Sequence, residues 1–189
     1  RAISCTQEMK RRIGASPIFC PDEEGEKAIK TAIQAAKDDH DSIGGLVETL
    51  VDCIPSGLGD PVYQKIEAGL AFAMLSLPAS KGFEVGSGFS SASMRGSDHN
   101  DSFINNDGQI ETETNHAGGI LGGITTGMPL LFRVAFKPTS SIRKQMKTVT
   151  VEGKETHLMY PEGSRHDPCL AIRAVPVVEA MTALVLADL

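Results

Sequence analysis

Residues 43–54 read Ile43-Gly44-Gly45-Leu46-Val47-Glu48-Thr49-Leu50-Val51-Asp52-Cys53-Ile54. The turn Pro55-Ser56-Gly57-Leu58-Gly59-Asp60-Pro61 follows, then an apolar run through Tyr63, Ile66, Leu70 and Met74 that stops before Pro78. The first segment is β-branched and alternates: Val47, Thr49 and Val51 share one face, and Leu46, Glu48, Leu50 and Asp52 the other. That pattern predicts a strand. Asp60 and Pro61 sit where an N-cap and first helical residue belong, so a helix is expected from there to the residues before Pro78. Upstream, Asp22 precedes an acidic first turn and apolar residues at helical spacing (Ala28, Ile29, Ala32, Ile33, Ala36), which predicts a helix as far as Lys37. Residues 1–21 read as the end of an element followed by a loop.

Downstream, short strands are expected around Gly82, Gly86 and Gly88. The polar stretch 96–114 reads as a flexible loop. Leu130-Leu131-Phe132-Arg133-Val134-Ala135-Phe136 predicts a strand. Residues 146–151 and 155–160 predict a hairpin about Gly153-Lys154, and 171–189 a buried helix containing Pro176. Strand–helix, several strands, then helix is the order of an α+β layered domain rather than a βαβ array. All 189 residues fit within one such domain.

Composition excludes several function classes. A net charge of −6 argues against non-specific nucleic-acid binding, and seven Phe, two Tyr and no Trp leave few platforms for stacking bases. No apolar run approaches the roughly 20 residues that span a bilayer. The four cysteines (Cys5, Cys20, Cys53, Cys169) make no Cys-x-x-Cys pair and no zinc-finger spacing, so no metal is expected and the thiols read as reduced and mostly packed. The chain starts at Arg1 without a leader, which reads as a cut or as sequence preceding it.

Charge is uneven. No acidic residue lies between Glu113 and Glu152, whereas Arg133, Lys137, Arg143, Lys144 and Lys147 do. A local positive field of this kind suits a phosphorylated ligand. Three motifs lie in or beside it. Asn115-His116-Ala117-Gly118-Gly119-Ile120-Leu121-Gly122-Gly123 is either a loop that brings backbone close to a flat or anionic ligand or a tight packed turn. Lys137-Pro138-Thr139-Ser140-Ser141 follows a strand and supplies a cation, hydroxyls and turn amides. It reads equally as an anion nest or as a solvated turn. In Arg165-His166-Asp167-Pro168-Cys169, Arg165 can hold a phosphate or carboxylate, and Asp167 is an acid–base group or a helix cap. His166 reads as a core histidine bonded to backbone, and His40, His99 and His157 as surface residues.

Taken together, these blocks resemble the C-terminal half of chorismate synthase. The matching residues are Phe19-Cys20-Pro21-Asp22, Asp41 to Gly45, Pro55 to Gly59, Met94-Arg95-Gly96-Ser97, Asn115 to Gly123, Phe136 to Ile142, Arg165 to Cys169 and Arg173 to Met181. The resemblance implies a β-α-β sandwich, with helices between antiparallel sheets, in a cytoplasmic homotetramer. It implies conversion of 5-enolpyruvylshikimate 3-phosphate to chorismate by 1,4-elimination of phosphate, a lyase step on the shikimate route to aromatic amino acids. The implied cofactor is reduced FMN, used without net redox change. NADPH or a separate flavin reductase would be the source of electrons. By the same resemblance Pro78, Ala79 and Gly122 contact the flavin. Lys137, Pro138, Thr139, Ser140 and Ser141 hold it and its phosphate chain. Arg165 lies between flavin and substrate, and Asp167 helps move the proton. The family's N-terminal half, with its two catalytic histidines, has no counterpart in these residues. A piece that only binds FMN or supports oligomerisation is therefore the alternative expectation.

Overall fold

The computed structural model describes residues 5–161, 163–164 and 166–189. Its centre is a three-stranded antiparallel sheet of β1 (Gly45–Val51), β7 (Leu130–Phe136) and β2 (Ser80–Val85), with β7 in the middle. Side chains on β7 alternate as a strand buried on one face requires. Leu130, Phe132, Val134 and Phe136 point into the core. Arg133 points to the opposite face, where Glu48 of β1 and Glu84 of β2 stand beside it in register. Its guanidinium bonds Glu48 Oε2 at 2.6 Å, Glu84 Oε1 at 3.3 Å and the Gly86 carbonyl at 3.0 Å. One cation thus ties all three strands together.

The core face is covered by α3 (Ile66–Leu75) and α5 (Ala171–Ala187). Ile66, Leu70 and Met74 of the first and Ala174 and Val178 of the second pack against Val47, Phe132 and Val134. α5 keeps Pro176 in its second turn and buries only one stripe, Ala171, Ala174, Val178 and Thr182. The expected buried helix forms, with its burial confined to that stripe. Leu184 is 65% exposed on its far side, and Phe72 of α3 is 82% exposed. Both helices are apolar on faces that the described residues do not cover.

The remaining elements are peripheral. The element expected to end within residues 1–21 is α1 (Gln7–Ala15), capped by Thr6, and its Lys10 reaches Asp52 at 2.9 Å. α2 (Glu23–Asp38) begins as expected: the Asp22 carboxylate accepts from the Gly25 amide at 2.6 Å. Asp22→Ala should cost about 1 kcal/mol through that lost cap, measurable as a lower urea midpoint with an unchanged slope.

α3 starts at Ile66, five residues after Pro61. The Asp60 carboxylate is used inside a closed turn instead, accepting from the Val62 amide at 3.0 Å while the Asp60 amide donates to the Gln64 carbonyl. An Asp-Pro pair favours turns and helix starts alike, and here the turn wins.

Segment 96–114 is not a plain loop. It holds the short α4 (Gly96–His99) and the hairpin of β3 (Phe103–Asn106) and β4 (Gln109–Thr112). Asp107-Gly108 forms the hairpin's two-residue turn, both residues at positive φ, which is the usual chemistry of a tight hairpin. After β2 the chain makes a 3₁₀ turn (Gly88–Ser93) rather than further strands. β5 (Ile120–Leu121) pairs with β6 (Ile124–Thr125), and the expected hairpin forms from β8 (Met146–Val149) and β9 (Glu155–Leu158). Cys20 and Cys169 are buried, Cys53 is exposed, and all four thiols are free.

Candidate functional site

Three loops meet at the end of the sheet where β7 finishes with Phe136. They are the loop after α2 (39–44), the turn after β7 (137–141) and the segment entering α5 (166–170). Ile43 donates its amide to the Pro168 carbonyl at 2.8 Å and bridges to Cys169. The Ser42 hydroxyl donates to the Thr139 carbonyl at 2.6 Å. The Thr139 hydroxyl donates to the Asp167 carbonyl at 2.6 Å. Gly44 permits this approach: a Cβ there would stand 2.6 Å from the Phe136 carbonyl oxygen and 3.2 Å from Pro138. On the other side, the Lys137 amide donates to the carbonyl of Ala79, at 2.9 Å. Pro78, Ala79, Lys137, Pro138, Thr139, Ser140, Ser141 and Asp167 therefore share one end of the molecule.

Their roles divide by exposure. Thr139 spends its hydroxyl on the main chain, so it builds the turn. Lys137 and Ser140 are exposed, with Nζ and Oγ 3.5 Å apart. Among the described residues Lys137 pairs with no carboxylate. An unneutralised ammonium beside a hydroxyl on a fixed turn is an edge that can hold an anion. The Asp167 carboxylate lies 3.0 Å from Nε of Arg173, in the first turn of α5. Arg173 matches the family in sequence, but its pairing with Asp167, six positions earlier and before the helix begins, is not something helix periodicity reveals. Arg165 lies outside the described residues.

Gly122 lies elsewhere. It is in the β5–β6 turn, whose Gly123 carbonyl accepts from the amide of Ile66, the first residue of α3. Ala79 follows the other end of that helix, and ten residues of helix span about 15 Å. Around Gly122 a Cβ would meet nothing within 4 Å, so its main chain is open to an incoming group. Gly118 and Gly119 do structural work instead: Cβ atoms there would stand 2.6 Å from the Gly86 nitrogen and the Pro129 carbonyl oxygen. Asn115 likewise donates to the Pro129 carbonyl.

Asp101 holds the start of this stretch. It accepts from the amides of His116 (2.8 Å) and Ala117 (2.9 Å) and from the Thr114 hydroxyl (2.7 Å). Burial pushes its pKa up, but the Ala117, Thr114 and His116 bonds outweigh that and hold it below the ordinary value. A depressed carboxyl pKa adds stability above the unfolded-state pKa, and that stability fades as pH falls through the folded one. Asp101→Ala should therefore destabilise by about 1–3 kcal/mol at neutral pH. The gap from the native chain should narrow as pH falls below the ordinary carboxylate range in parallel urea titrations.

The positive field is smaller than the sequence implies, because folding brings acids to the cations. Arg133 is held by Glu48 and Glu84, and Lys144 by Asp39 and Asp41. Arg143 bonds the Ser164 carbonyl. A cleft of about 810 Å³ lies away from the three loops, beside α1 and α2, lined by Arg12, Glu26 and Lys30. It is a groove between solvated helices with no tie to the residues above. Among the described residues no group of three or more His, Cys, Asp or Glu is placed to hold a metal ion. Among the described residues no helix is long and apolar enough to cross a membrane.

Residues 2–189 match the family model described as chorismate synthase. Chorismate synthase of Protochlamydia amoebophila (strain UWE25) is 55% identical over 181 residues, covering 95% of this chain and 49% of that protein. Chorismate synthase of Opitutus terrae (strain DSM 11246 / JCM 15787 / PB90-1) is 50% identical over 179 residues, again covering 95% of this chain and 49% of that one. A crystal structure of chorismate synthase superposes with a TM-score of 0.76 at 31% identity, over 96% of this chain and 47% of the other. The chain thus spans about half the length of the relatives it matches. A match running from residue 2 to residue 189, through the sheet, both core helices and the three loops at its Phe136 end, makes this chain a member of the chorismate synthase family.

Proposed function

We propose that the protein to which this chain belongs eliminates phosphate from 5-enolpyruvylshikimate 3-phosphate to give chorismate, with reduced FMN as cofactor. The observation that carries this reading is the meeting of Ala79, Lys137, Ser140 and Asp167 at one end of the sheet, on loops cross-linked by Ser42 and Thr139. The donor set there fits a phosphate ester: an exposed ammonium, a hydroxyl and a proline-fixed turn. Pro78 and Ala79 offer main chain and small side chains to a flat ring. Gly122 offers an open backbone face, from the other end of α3. Arg165, adjacent in sequence to His166, is proposed for the junction of flavin and substrate.

The reaction breaks a C–O bond, releases phosphate and removes one ring hydrogen, leaving one more double bond. Reduced FMN supplies the reducing power on which this redox-neutral step depends. Lys137 and Ser140 bind and orient the phosphate chain. Asp167 Oδ1 or Oδ2 holds or relays the proton, while Arg173 fixes the carboxylate's direction.

A homotetramer, a cytoplasmic setting and electrons from NADPH or a separate reductase belong to the same proposal. The apolar outer faces of α3 and α5 support further packing against these helices. The half-length match favours a second reading for these residues alone, in which they bind FMN or self-associate without turnover.

The test is phosphate release when the full-length protein meets 5-enolpyruvylshikimate 3-phosphate and reduced FMN. Release that stops when FMN is withheld supports the proposal, and no release under reducing conditions sinks it.

A further inference from the structure

Both ring nitrogens of His166 face main-chain oxygens. Nδ1 lies 2.9 Å from the Ser141 carbonyl and Nε2 lies 2.8 Å from the Asp41 carbonyl. Carbonyls only accept. A neutral imidazole has one N–H, so it satisfies one of these oxygens and turns a lone pair toward the other. Only the imidazolium makes both bonds. The two oxygens sit on different loops, one following α2 and one ending the Lys137–Ser141 turn, so the ring is a cross-brace between them.

The charged groups around the ring are already paired with one another, so its two carbonyl partners decide its role. From the loop after α2 come Asp39, Asp41 and the exposed His40. From the segment after the turn come Arg143, bonded to the Ser164 carbonyl, and Lys144, bonded to both aspartates. Asp167, on the ring's own segment, is paired with Arg173. Asp41 is held below the ordinary carboxylate range first by Lys144, then by the Ser42 amide, with the His166 charge contributing.

We propose that His166 is a positioning residue: as an imidazolium bridging the Asp41 and Ser141 carbonyls, it locks the anion-holding turn, so that binding at this turn is linked to protonation of the ring. This rests on the reading of that turn as the FMN phosphate site. If the locked turn binds the anion and the locked turn holds the proton, affinity must fall as pH rises and the proton is lost, by up to tenfold per pH unit. The ligand phosphate titrates as well, and comparing variants at each pH cancels that effect.

The experiment has two arms. In the first, FMN is titrated into the protein and its His166→Gln variant between pH 5.5 and 8.5. Glutamine keeps a donor but does not titrate. The native protein should bind several-fold more tightly than the variant at pH 5.5, and the advantage should shrink toward pH 8.5. A ratio that is flat with pH overturns the proposal. In the second arm, ¹⁵N-resolved NMR of the ring nitrogens at pH 5.5 should show two slowly exchanging N–H protons for His166 and none for the exposed His40 and His157. One or none for His166 overturns it. If the native protein binds no FMN, the flavin reading falls and the second arm alone decides the bridge.

Discussion

Gly86→Ala should leave the chain unable to fold. A Cβ at this position would stand 2.0 Å from the His116 carbonyl oxygen, 2.5 Å from the Gly118 nitrogen and 2.8 Å from the His116 carbonyl carbon, with φ at +55°. All three neighbours are backbone, so no side chain can swing away. The crowding arises because the Gly86 amide donates to the Leu131 carbonyl while Ser87 donates to His116, which clamps the 115–119 stretch onto the end of β2. Gly86 also gives its carbonyl to Arg133. Insertion of a methyl must part that clamp from the central strand, and a loss beyond about 4 kcal/mol is expected. Gly108→Ala is the control. Its φ is +88° but nothing lies within 4 Å, so only the left-handed backbone penalty of about 1–2 kcal/mol applies. Soluble yield and urea midpoints check this. Equal stability of the two variants would show that the 86–118 contact is not tight.

Asp167→Asn should lower turnover of the full-length protein by about 10²- to 10⁴-fold, the range associated with a lost proton-transfer group. The turn should survive, because Thr139 bonds the Asp167 main-chain carbonyl rather than its carboxylate. Asparagine keeps the shape and an oxygen toward Arg173. FMN affinity should therefore move by only a few-fold while steady-state turnover collapses. Loss of stability with turnover unchanged would reduce Asp167 to a partner of Arg173.

Much of this was legible from residue order. The strand at 130–136, the Asp22 cap and the Gly153-Lys154 hairpin are set by neighbours in the chain, and all three form as expected. What escaped depends on partners far apart in sequence. The positive field weakened because Glu48, Glu84, Asp39 and Asp41 are about 50 to 105 residues from the cations they meet. The start of α3 moved because Asp60 serves two local structures equally well and the Ile66–Gly123 bond selects one. The β3–β4 hairpin was hidden by polar residues, although Asp107-Gly108 between Ile104 and Ile110 carried its signal. At the site, grouping Pro78–Ala79 with Lys137–Ser141 and Asp167 followed from family likeness. The physical reason emerged only with the fold: β2 and β7 are paired so that Ser80 stands opposite Phe136. The pairing of Arg173 with Asp167 had no sequence signal, whereas the bonding of His166 to backbone was expected and only its two partners depend on how the three loops are folded together.

In the proposed function the turn after β7 holds the phosphate of FMN. The most direct measurement is the FMN dissociation constant, by flavin fluorescence, of the native protein, Lys137→Ala and Lys147→Ala. Lys137 is the exposed cation on the turn, whereas Lys147 lies beyond it on the outward hairpin. Loss of one charge-assisted bond to phosphate, worth about 1.5–3 kcal/mol, predicts binding weaker by roughly ten- to a hundredfold for Lys137→Ala. Lys147→Ala should bind as the native protein does. Native affinity in Lys137→Ala, or equal losses in both variants, would contradict the placement of the flavin phosphate at this turn.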